Sequence, residues 1–116
     1  MRTTLEQLCK NFISNRDTIK SVLKWENDQI IAASATSFLN RGVLADATKL
    51  EECKKLLKDN TSVFSNFRGN VEVPMIAQLA LADVPADKMK KTLEIYETLK
   101  QEFSGSEYLV LAASVM

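Results

Sequence analysis

The sequence predicts an all-α fold, and three observations carry that prediction. Apolar residues along most of the 116-residue chain recur at three- and four-residue spacing rather than alternating. Only three Gly and two Pro interrupt the chain. Four of them, Gly42, Pro74, Pro85 and Gly105, fall at the edges of the apolar-periodic segments, where helices start and stop. The expected architecture is about six helices in one domain over residues 1–116. They form either an antiparallel bundle or a solenoid-like stack of helical hairpins, with one long aromatic loop.

The first helix is expected from Thr4 to Ile13. Thr4 and Gln7 have capping-box spacing, and Leu5, Leu8, Cys9, Phe12 and Ile13 form one inward stripe. The polar stretch Ser14-Asn15-Arg16-Asp17 reads as a break. A longer helix follows, roughly Asp17 to Asn40, carrying Ile19, Val22, Leu23, Ile30, Ala33 and Phe38 on or near one face and stopping before Gly42. Asp46 or Thr48 can cap the third helix, which should bury Leu50, Cys53, Leu56 and Leu57 and turn Lys54, Lys55 and Lys58 outward. No helical period links Asp59 to Val73, an unusually long connection.

A short helix should then run from Pro74, a favourable first-turn residue, to about Asp83. Val84-Pro85 interrupts it, because the residue before a proline is pushed out of the α region. From Pro85 or Ala86 to Glu102 the periodicity is clearest. Met89, Leu93, Tyr96, Leu99 and Phe103 point inward, and Asp87 and Lys91 pair outward. Gly105 ends this helix and Ser106 caps the last one.

That last helix constrains the fold most. Seven of the final eight residues are apolar. Leaving them exposed would forgo about 1.5–3 kcal/mol for each large side chain. Three arrangements cover them: the helix runs through the centre of the fold, the chain is the N-terminal part of a longer protein, or a partner docks on Leu109, Leu111, Val115 and Met116. The run Ile30-Ile31-Ala32-Ala33-Ser34 echoes Val110-Leu111-Ala112-Ala113-Ser114. A true repeat there would favour stacked hairpins.

Composition excludes several chemistries. Fifteen Lys+Arg balance fifteen Asp+Glu, which removes the electrostatic footprint of a nucleic-acid or anionic-membrane binder. There is no His, so neither histidine catalysis nor a Glu-x-x-His metal site can be built. Glycine-rich phosphate loops, CxxC pairs and Gly-x-Ser-x-Gly elbows are missing too, and no cofactor or metal is expected. Cys9 and Cys53 read as reduced, buried thiols. With neither a signal-peptide core nor a long apolar run, the expected compartment is the cytoplasm.

Two places invite a functional reading. The segment Val63 to Asn70 combines Phe64 and Phe67 with the planar donor fork of Arg68, which suits a carboxylate or phosphate. The bland alternative is that the two rings plug a groove between helices while Arg68 ties the loop down. Trp25, alone among polar neighbours, is either an interface anchor or an edge-of-core ring. The expected role is a cytoplasmic helical interaction or scaffold module rather than an enzyme. Its partner is another protein, the remainder of a longer chain, or a second copy. The alternative is a small-ligand-binding or catalytic domain with a pocket near Trp25, Phe67 and Arg68.

Several of these residues also carry a resemblance. Phe64-Ser-Asn-Phe-Arg68-Gly69, Pro74 with Leu79-Ala-Leu81, Leu93-Glu-Ile-Tyr-Glu97, and Tyr108-Leu109 with Ala112-Ala113 resemble a bacterial domain-of-unknown-function family found mainly in Gram-positive organisms. The segment Lys24-Trp25-Glu26-Asn27 fits the same family. The resemblance implies a longer protein continuing past Met116. It assigns no activity and no catalytic residue, and it draws attention to the Phe64 to Gly69 segment.

Overall fold

The computed structural model describes residues 4–23, 26–61, 71–103 and 107–115. Among them are six helices packed on one another and no strands: α1 (Leu5–Val22), α2 (Asp28–Asn40), α3 (Ala47–Asn60), α4 (Glu72–Leu81), α5 (Pro85–Glu102) and α6 (Glu107–Val115).

The N-terminal boundaries differ from the expectation. Ser14 to Asp17 does not break the helix, and the chain turns instead between α1 and α2. No Gly or Pro marks either place. What decides is which polar side chains find partners. Asn15 is fully buried in the middle of α1. Its Oδ1 accepts the Ala45 N–H at 2.8 Å and its Nδ2 donates to the Val43 carbonyl at 3.4 Å. These bonds satisfy the amide in place, so it has no reason to leave the helix. Asn27 caps α2, its Oδ1 accepting the N–H groups of Gln29 at 2.8 Å and Ile30 at 3.3 Å.

Other ends follow the local chemistry. Thr4 accepts the Gln7 N–H at 3.1 Å and begins α1, while the Gln7 side chain turns to Asn11 at 2.9 Å instead of closing the box. At the end of α2 the Gly42 N–H reaches the Leu39 carbonyl and the Val43 N–H the Phe38 carbonyl. This Schellman pattern needs the positive φ of 65° that Gly42 supplies. Asp46 caps α3, accepting the Thr48 N–H at 3.0 Å. Pro85 opens α5 as expected. The helix before it starts at Glu72 rather than Pro74 and ends at Leu81 rather than Asp83.

The core gathers around α4, which packs against α2, α3, α5 and α6, while α1 lies on α2 and α3. Val73, Met75, Ile76, Ala77, Leu79 and Ala80 are all buried, and no residue of α4 is exposed. A helix that is apolar nearly all round can only sit inside. The centre of the fold is therefore α4 and not the last helix.

Several side chains face otherwise than expected. Leu5, Leu8 and Ile13 are exposed, and so is Cys9, leaving Cys53 as the buried thiol. At 18 residues α1 is longer than the 13-residue α2 it lies against. Phe103 is exposed just past the end of α5. Lys54 is half-buried, its Nζ reaching the Val22 carbonyl at the end of α1 at 3.4 Å. The Ile30–Ser34 echo is not a structural repeat. Ile31 is buried where Leu111 is half-buried, and Ala33 is exposed where Ala113 is buried.

Candidate functional site

The residues singled out in sequence fall into two groups. Trp25, Phe64, Phe67, Arg68 and Met116 lie outside the described residues. Leu109, Leu111 and Val115 lie on α6, which packs against α5 and α4. Val110, Ala113 and Ser114 form its buried face, Leu109 and Leu111 are half-buried against the core, and Val115 is 73% exposed. The helix thus contributes one face to the protein's own core and turns another, with Ala112 and Val115, to the outside.

Polar contacts fix this placement. The Lys88 Nζ donates to the Ser114 carbonyl near the end of α6, where a cation offsets the partial negative charge of the unpaired carbonyls. The Ser114 hydroxyl donates to the Leu111 carbonyl at 2.7 Å, so a polar side chain is satisfied on the buried face. Lys49 does for α4 what Lys88 does for α6, donating to the Ala82 carbonyl at 3.4 Å.

Two described residues adjoin the aromatic candidates in sequence. Glu26 directly follows Trp25, and Glu72, at the start of α4, follows the Val63 to Asn70 segment closely. Burial pushes the Glu26 carboxyl above the usual range, the Glu72 charge pushes it further, and the Lys54 cation pulls it back. Glu26, between α1 and α2, thus feels the charges of Lys54 on α3 and Glu72 at the start of α4. The sequence reading passed over these three together, because they are 18 and 28 residues apart along the chain.

Besides a groove of about 350 Å³ on α5 lined by Glu94, Ile95, Thr98 and Leu99, two clefts are lined mainly by charged and polar side chains. One, of about 280 Å³, lies between α1 and α2 and is lined by Arg16, Asp17, Lys20, Asp28 and Ile31. Its charges neutralise one another, with Arg16 on Asp17 at 3.1 Å and Lys20 on Asp28 at 2.6 Å. The Lys20 hydrogen bond holds the Asp28 carboxyl below its usual range. The other, of about 230 Å³, lies where α2 and α4 end and α5 begins, between Arg41, Gln78, Asp83 and Lys88. Burial raises the Cys53 thiol, so it stays protonated and unreactive as a nucleophile. Among the described residues no three His, Cys, Asp or Glu side chains gather to hold a metal ion, and no helix is long and apolar enough to cross a membrane.

No curated protein and no solved structure matches the chain. One protein family does, over residues 15–116, from the buried Asn15 through all of α2 to α6. The matched span leaves out the first ten residues of α1, which hold the exposed Leu5, Leu8 and Ile13. Since it takes in nearly the whole chain, the protein belongs to the family described as Protein of unknown function (DUF4003).

Proposed function

We propose that this DUF4003 chain is a cytoplasmic helical interaction module that docks another helix layer on the outer face of α6. The observation that carries the reading is the side chain of Val115, apolar and 73% exposed, on a helix with no charged residue after Glu107. A solvated helix face normally carries charges, as α5 does with Lys90, Lys91, Glu94 and Glu97. Leu111, half-buried, and Ala112, exposed, extend the uncharged surface, and Met116 continues it in sequence. In this reading Phe64, Phe67 and Arg68 form a recognition edge for the same partner.

The test is Val115→Glu, which adds a charge at a site the fold does not bury. The variant should melt within about 0.5 kcal/mol of the parent. If the face is a docking surface, the parent should bind a hydrophobic dye that the variant binds less, and any self-association seen by light scattering across a concentration series should disappear. Equal dye binding and equal mass in the two proteins would overturn the reading.

A second reading is supported by the charges of Glu72 and Lys54 that act on Glu26, the residue next to Trp25 in sequence. A small-ligand pocket near Trp25, Phe67 and Arg68 would have both charge signs at its edge. Quenching of the lone Trp25 fluorescence by a small anion, lost in Arg68→Lys with melting unchanged, separates it from the docking reading.

A further inference from the structure

We draw no further inference here: the strongest candidate, the exposed apolar stripe of Leu5, Leu8 and Ile13 on the N-terminal half of α1, carries nothing because no feature of the structure shows what covers it.

Discussion

Two helices of this protein, α4 and α6, are built from nearly the same material and sit in different places. Each is short and apolar, and neither has the charged face that marks an ordinary surface helix. Yet α4 touches four other helices and leaves no residue exposed, while α6 touches α5 and α4 and leaves Val115 outside. Composition alone therefore does not locate the centre of a helical fold. Placement differs instead in the packing, with α4 wrapped by two helices before it and two after it while α6 lies on α4 and α5.

The largest expected effect tests that contrast directly. Leu79→Ala, at a fully buried site on α4, should cost about 2–5 kcal/mol, since the surrounding helices relax only partly into the space left. Val115→Ala on α6 should change stability by no more than about 0.5 kcal/mol. Urea unfolding of the two variants reads both numbers. A loss above 2 kcal/mol at Val115 would mean that the outer face of α6 is already covered, and the contrast would fail.

A smaller effect asks what holds the wrapping around α4 in place. α2 and α3 both pack on α4, and the link between them is tied to α1 by the Asn15 amide. Asn15→Ala leaves the half-buried Ala45 N–H side of that link without its partner and should cost about 1–3 kcal/mol. Hydrogen exchange at the Ala45 amide should speed up at the same time. Unchanged exchange there would show that the link is held by something other than Asn15.

The same residue shows what the sequence could and could not reveal. Asp46, Pro85 and Gly42 act on backbone groups a few positions away, and the helix limits they set were readable. Asn15 acts on residues 28 and 30 positions away, so in sequence it resembles any polar residue in a break. The exposed Leu5 and Leu8 mislead for a related reason. Periodicity marks a face that is able to be buried, but whether another helix reaches it depends on the relative lengths of α1 and α2. At the candidate site the apolar run after Glu107 was legible as a helix, and one face of it lies in the core. The sequence did not separate the half that the fold covers, Val110 and Ala113, from the half it leaves outside.

On the α6 side, Lys88 provides the corresponding probe. Lys88→Met keeps the aliphatic stem and removes the cation at the Ser114 carbonyl, at an expected cost of about 1 kcal/mol. Because α6 has few neighbours, the loss should be local, with faster exchange at the Val110 and Ala113 amides and little change at Leu79. A uniform change across all helices would indicate that α6 unfolds only with the whole.

The smallest effect concerns the first turn of α4, where the charge of Glu72 acts on Glu26. The folded state raises the Glu26 carboxyl, so it holds that proton more tightly than the unfolded chain does. Between the ordinary carboxylate range and the raised folded value, the native state binds more protons, and stability falls as pH rises. The group's favourable contribution is thus present on the acid side of that window and lost above it. Glu26→Gln should remove this slope and leave the neutral-pH protein equal or slightly more stable, by about 0.5 kcal/mol or less, because the side chain is only partly withdrawn from solvent. Glu72→Gln should move the Glu26 titration, followed by carboxyl carbon NMR, only part of the way back, since burial is the larger cause and remains. A complete return would make Glu72 the dominant influence and place the two carboxyls closer together than the packing of α4 against its neighbours implies. No movement at all would separate them, and with them the described edge of the pocket reading.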